Sequence, residues 1–61
     1  MQLTGKEMIK LLLENGWTIL RIEGSHYRMG KGTKKVTVPV HGNKNLAPGL
    51  LNKILKDTGL K

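Results

Sequence analysis

Two runs of residues decide the fold of this chain: Trp17-Thr18-Ile19-Leu20-Arg21-Ile22-Glu23 and His26-Tyr27-Arg28-Met29. Both are rich in residues that favour β-strands. Only Gly24-Ser25 separates them. Glycine at the first central position is typical of a type II′ turn, which joins antiparallel strands. The stretch therefore predicts a β-hairpin.

The short connection also predicts which residues of the hairpin face each other. Glu23 pairs with His26, Ile22 with Tyr27, Arg21 with Arg28, and Leu20 with Met29. Directly opposed residues share a face of the sheet. One predicted face is therefore apolar, with Leu20, Ile22, Tyr27 and Met29, and the other is polar, with Arg21, Glu23, His26 and Arg28. A slip of one residue would mix the two sets, so the pattern itself supports this register.

A helix is predicted before the hairpin, over about residues 4–15. Thr4 and Glu7 have the spacing of a capping box, in which each side chain accepts a hydrogen bond from the other residue's backbone N–H. Apolar residues follow at helical spacing. Gly16 is suited to the left-handed position that commonly ends a helix.

The segment after the hairpin predicts one more strand and one more helix. Residues 30–33 form a basic turn, and valines alternate with other residues in a strand over about 34–40. A polar loop over 41–45 follows. Pro48 suits the first turn of the second helix, and Gly59 ends it.

The predicted order is α-β-β-β-α, and we expect one domain over residues 1–61. A three-stranded antiparallel sheet with two amphipathic helices is an α+β fold that buries its apolar face under both helices. The polar face of the sheet then stays open. This is the architecture of double-stranded-RNA-binding domains.

Charge indicates the class of ligand. Lys and Arg number 11 against four acidic residues, which gives a net charge of +7 on 61 residues. Such an imbalance predicts binding to a polyanion: nucleic acid first, an acidic protein second, an anionic membrane third. With one Trp, one Tyr and no Phe, the chain lacks the aromatic residues on which single-strand-binding domains stack successive bases.

Several classes of protein are disfavoured by what the sequence lacks. Without cysteine, neither a disulfide framework nor a thiolate zinc site can form, and two histidines with few acids make a poor metal site. We therefore expect no metal and no other cofactor. The longest apolar run, residues 11–13, is far shorter than a membrane span, and no signal peptide is recognisable. These features predict a soluble, cytoplasmic protein.

The predicted polar face suits cleavage of RNA. The 2′-hydroxyl of RNA can attack the neighbouring phosphorus, so an enzyme needs proton transfer and cations rather than a metal. Histidine can transfer the proton, arginine can bind the phosphate, and a carboxylate such as Glu23 can orient the imidazole of His26. The candidate phosphate contacts are Arg21, Arg28, Lys31, Lys35 and Lys44. From the residues alone, a solvated His26, a solvated pair of arginines and an ordinary Glu23–His26 contact remain open alternatives.

The chain resembles the HicA family of toxins from toxin–antitoxin systems along nearly its whole length. The matching segments are Thr4-Gly5-Lys6-Glu7, Asn15-Gly16-Trp17, Gly24-Ser25-His26-Tyr27, Val38-Pro39-Val40-His41-Gly42-Asn43-Lys44 and Leu51-Asn52-Lys53-Ile54-Leu55-Lys56. The resemblance implies an mRNA interferase with a fold like that of double-stranded-RNA-binding domains, held inactive by a HicB antitoxin. It also implies that His26 is catalytic, with Gly24 and Ser25 forming the turn that presents it.

A non-catalytic module that binds double-stranded RNA is the main alternative. The order of elements and the charge both suit it. Such modules usually carry a lysine cluster at the start of their second helix, whereas this chain has Ala47-Pro48-Gly49 there. A third interpretation, in which the charge mainly binds an acidic antitoxin, is compatible with the toxin, since both ligands would use one basic face.

Overall fold

Five elements follow one another in the predicted order. The computed structural model describes residues 2–61. Its elements are helix α1 (Gly5–Glu14), strands β1 (Thr18–Glu23), β2 (His26–Lys31) and β3 (Lys34–Pro39), and helix α2 (Pro48–Asp57). The strands form an antiparallel sheet in the order β1-β2-β3. The predicted α-β-β-β-α fold is confirmed.

The first helix has the ends that its sequence predicts. The Thr4 backbone N–H donates to Glu7 Oε1 at 2.9 Å, and the Glu7 N–H donates to Thr4 Oγ1 at 3.1 Å. Gly16 has a φ of +88°, and the Trp17 N–H beyond it donates to the Leu12 carbonyl at 3.0 Å. This is the geometry of a Schellman motif, which satisfies carbonyls that the helix leaves free. Local signals alone therefore fix where α1 starts and stops.

Both helices cover the same face of the sheet. Met29, Val36 and Val38 are the strand residues with buried apolar side chains, and their spacing points them to one side. They share a single core with buried residues from both helices, which include Met8, Ile9, Leu12, Leu51, Ile54 and Leu55. Trp17, which lies between α1 and β1, is only 2% exposed and belongs to this core.

The predicted hairpin register is correct near the turn and wrong beyond Arg21. Glu23, Ile22 and Arg21 face His26, Tyr27 and Arg28, but Met29 pairs with Ile19. Leu20 is therefore the extra residue of a β-bulge, which lets β1 carry one residue more than β2 over the same length. The predicted Leu20–Met29 pair and the placement of Leu20 on the apolar face are both corrected.

Strand β1 is also less buried than its apolar residues predict. Ile22 lies on the same side as Tyr27 but remains 52% exposed, and every residue of β1 is exposed. The physical reason is the position of the helices, which pack mainly over β3 at the opposite edge of the sheet. The part of the apolar face that the helices cover therefore does not extend fully to β1.

The second connection is shorter than predicted. Strand β2 continues through Gly30 and Lys31, and the turn consists of Gly32 and Thr33 alone. Gly32 has a φ of +60°, as expected where a tight turn needs a positive φ. Lys31 is therefore a strand residue that pairs with Lys34. The predicted four-residue turn is corrected.

Candidate active site

His26 is held by its backbone between two neighbours. It is the first residue of the central strand β2, directly after the Gly24-Ser25 turn, in which Gly24 has a φ of +59°. His26 pairs with Glu23 of β1 and with Pro39 of β3. The Ser25 carbonyl accepts a hydrogen bond from the Val40 N–H at 2.7 Å, which ties the turn to the chain beyond β3. A fixed backbone thus presents an exposed imidazole.

The open face of the sheet carries His26 together with three of the predicted cations. Tyr27 and Met29 point towards the helices, so His26 and Arg28 point the other way. Arg21 pairs with Arg28, and Lys35 pairs with Gly30 one step further along the same side. We call Arg21, Arg28 and Lys35 the basic cluster. The backbones of His26 and Arg28 are about 6.6 Å apart along β2, because each residue of a strand adds about 3.3 Å.

The two arginines of the basic cluster oppose each other directly across the strands. Like charges at such a position are destabilising. Each guanidinium has a separate partner: Arg21 Nη2 lies 3.0 Å from Glu23 Oε1, and Arg28 Nη1 donates to Thr37 Oγ1 at 2.8 Å. The Arg21 side chain therefore extends along β1, and the Arg28 side chain extends across the sheet to β3, so the two charges are kept apart. All of these groups are exposed, so the guanidiniums can exchange their present partners for phosphate oxygens.

Glu23 lies beside His26 but its carboxylate contacts Arg21 instead. The ion pairs formed within residues 2–61 join Arg21 to Glu23 and Lys53 to Asp57, and neither includes His26. A guanidinium two residues away on the same strand is a charged, forked donor, and it attracts the carboxylate more strongly than an imidazole does. The structure therefore brings Glu23 to the site as the counter-ion of Arg21.

Lys31 and Lys44 lie apart from the basic cluster. Lys31 follows Met29 by two residues, so it points to the helical side, where its Nζ donates to the Asn15 carbonyl at 2.8 Å. A cation there complements the negative end of the α1 dipole. Lys44 is exposed in the connection over residues 40–47, where its N–H donates to the His41 carbonyl at 3.0 Å.

Two residues of the open face, Thr37 and Leu20, were not predicted as site residues. Thr37 accepts the hydrogen bond from Arg28, and its alternation with Val36 and Val38 was the signal that it points outwards. Leu20 lines one depression with Arg21, Arg28 and Lys35. No pattern in the sequence predicts that Leu20 lies on the open face, because its position depends on the bulge.

Residues 2–61 contain neither a potential metal centre nor a potential membrane span. Nowhere in that range do three or more His, Cys, Asp or Glu side chains come together as a metal site would require. Each helix in the same range is too short and too polar to cross a bilayer. The residues that the strand pairing brings together on the open face are the exposed histidine, the basic cluster, Glu23 and Thr37.

Fold and site together define a small basic α+β domain with one sheet face under helices and the other open and cationic. The family model of the HicA toxins of bacterial toxin–antitoxin systems matches residues 5–60. The chain belongs to the HicA toxin family, which confirms the resemblance, and its partner is an antitoxin. No curated protein and no solved structure shows significant similarity to the chain.

Proposed function

We propose that this toxin is a metal-independent endoribonuclease that cleaves mRNA in the cytoplasm, with His26 as general acid or base. The single observation that carries the proposal is the placement of an exposed histidine on the same open face as Arg21, Arg28 and Lys35. Histidine is the side chain whose ordinary titration range allows proton transfer in either direction near neutral pH.

The reaction needs only groups of the RNA and of this face. The 2′-hydroxyl loses its proton and attacks the adjacent phosphorus, and the bond to the 5′-oxygen of the next nucleotide breaks as that oxygen gains a proton. His26 supplies one of these two proton transfers. Arg21 and Arg28 bind the phosphate oxygens, on which negative charge accumulates in the transition state. The products are a 2′,3′-cyclic phosphate and a 5′-hydroxyl.

Purified toxin incubated with single-stranded RNA in EDTA tests this reaction directly. We expect cleavage that persists in EDTA and fragments that end in a 2′,3′-cyclic phosphate, because the attacking hydroxyl belongs to the substrate. Fragments that end in a 3′-hydroxyl would contradict internal attack. Stable binding restricted to duplex RNA, without any cleavage, would favour the alternative of a non-catalytic double-stranded-RNA-binding module.

Removing one charge from the basic cluster should weaken RNA binding in a salt-dependent way. We expect Arg28→Gln to lower the slope of log affinity against log salt concentration by about 0.7, the value for one phosphate contact with a single strand. Titrations at several salt concentrations, made in a His26→Ala background to prevent cleavage, measure this slope.

Lys31→Gln is the matched control for that measurement. It removes the same charge from the neighbouring part of β2, but Lys31 points to the helices and binds the end of α1. We expect its salt slope to equal that of the parent protein. Equal slopes for Arg28→Gln and Lys31→Gln would show that total charge, and not the open face, determines RNA binding.

We further propose that the antitoxin is of the HicB type and inhibits by covering the open face. An acidic protein surface and an RNA backbone both complement Arg21, Arg28 and Lys35, so the two ligands compete for one surface. Solvent accessibility of the His26 imidazole in the complex, measured by the exchange rate of its ring C–H, should fall sharply. An unchanged rate in a fully inhibited complex would contradict occlusion.

A further inference from the structure

Leu20 projects from the hairpin at the bulge. Ile19 pairs with Met29 and Arg21 pairs with Arg28, so Leu20 has no residue opposite it on β2. Bulges of this kind re-aim a side chain and are common beside functional sites. Leu20 is 52% exposed, as exposed as Ile22 of the same strand, and it differs from Ile22 in having no cross-strand partner.

Gly30 provides the space that Leu20 occupies. Gly30 itself is buried, and a Cβ added to it would lie 2.6 Å from Leu20 Cδ1 and 3.1 Å from Leu20 Cγ. Met29 points to the helices, so the side of Gly30 that Leu20 covers is the open face. The bulge and the glycine together place one apolar side chain on an otherwise polar and cationic surface.

The surroundings of Leu20 define the chemistry of a ligand. Leu20, Arg21, Arg28 and Lys35 line one open depression of about 390 Å³. Three cations around an apolar side chain match a molecule that combines negative charge with an uncharged flat surface. A nucleotide has both features, since its phosphate carries negative charge that complements the cations and its base has a flat, largely apolar face that complements the leucine. A bare phosphate would leave Leu20 without a role.

We propose that Leu20 contacts a base of the RNA and that the Leu20 depression is a nucleotide subsite beside the cleavage site. The inference rests on the proposed ribonuclease function. Gly30, beneath Leu20, lies four residues from His26 on β2, which is about 13 Å at about 3.3 Å per residue. Stacked nucleotides of one strand rise about 3.4 Å each, so the subsite receives a base a few nucleotides from the phosphate at His26.

Leu20→Ala tests the subsite, and Ile22→Ala is its matched control. Both residues lie on β1 and both are 52% exposed, but Ile22 points to the side of the sheet that faces the helices. In a His26→Ala background, we expect Leu20→Ala to weaken binding of a short single-stranded RNA about tenfold, because the substitution removes most of the apolar area that the base would cover. Ile22→Ala should bind as the parent does. Thermal melts verify that both variants are folded.

Abasic RNA separates contact with the base from contact with the backbone. The affinity is measured for a series of oligonucleotides that each lack one base. With Leu20 intact, we expect the tenfold loss of affinity when the base at one particular position is missing. In Leu20→Ala, removal of that base should weaken binding no further. With His26 intact, Leu20→Ala should also change the distribution of cleavage sites. Equal RNA affinity and an unchanged cleavage pattern in Leu20→Ala and Ile22→Ala would overturn the proposal.

Two outcomes distinguish this proposal from the proposed function. If the parent binds RNA through Leu20 but never cleaves it, the subsite stands and the ribonuclease mechanism fails. If Leu20→Ala weakens binding of the antitoxin and leaves RNA binding and cleavage unchanged, Leu20 belongs to the protein interface and the subsite is excluded.

Discussion

Replacement of His26 by alanine should reduce the rate of RNA cleavage by a factor of about 10²–10⁴, the usual contribution of a positioned proton-transfer group. His26 is the histidine of the open face, and it lies two residues before Arg28 of the basic cluster that would hold the phosphate. The substitution should leave the fold unchanged, because His26 is exposed and is held through its backbone. Cleavage rates of purified protein measure the loss, and expression of the variant should no longer stop growth.

His41→Ala is the matched control for His26→Ala. His41 is the other histidine of the chain, also exposed, and it lies in the connection over residues 40–47 and not on a strand of the sheet. We expect this variant to keep most of the activity. The catalytic assignment would be wrong if folded His26→Ala cleaved RNA as fast as the parent, or if His41→Ala alone abolished cleavage.

The order of elements could be predicted from the sequence because its signals are local. Thr4 and Glu7 satisfy each other's backbone N–H groups within one helical turn, so their spacing alone indicates the start of α1. Gly16 and Gly59 likewise mark helix ends through their positive φ values. Alternation in β2 and β3 then separates the buried face from the open one.

The bulge could not be predicted because it depends on a contact across the sheet. Leu20 fits either face by its chemistry, and its apolar side chain favoured the covered one. Its actual position requires the space above Gly30, which becomes visible only once β1 and β2 are paired. The register changes only on the far side of the bulge from the turn. The pairs from Arg21 to Glu23 therefore have the predicted register, and His26 has its predicted place.

The same distinction applies to the charged residues of the candidate site. Strand alternation placed Arg21, Arg28 and His26 on one face correctly. It did not reveal that Glu23 would contact Arg21, since two partners of different strength were within reach. Nor did it reveal that Lys31 binds the end of α1, because that contact joins residues 16 positions apart in the chain.

Substituting alanine for Gly5 should destabilise the domain by about 1–3 kcal/mol, the usual cost of overpacking. Gly5 opens α1, and a Cβ there would collide with the Pro39 carbonyl oxygen and lie 2.9 Å from Val40 Cα. These are backbone atoms, which cannot move aside as the end of a side chain can. The core of a domain of this size rarely supplies more than about 3–5 kcal/mol of stability, so the loss is a large fraction of the total.

Gly49→Ala tests whether this loss comes from the collision. Gly49 also lies in the first turn of a helix, but an added Cβ would meet no atom within 4 Å. Alanine has the higher helix propensity, so Gly49→Ala should stabilise the domain by up to about 1 kcal/mol. Urea unfolding followed by circular dichroism should therefore move the two midpoints in opposite directions. A shift of both midpoints to higher urea would mean that Gly5 does not pack tightly against the Pro39 backbone. Because Pro39 pairs with His26, it would also mean that α1 does not support the strand beside the histidine.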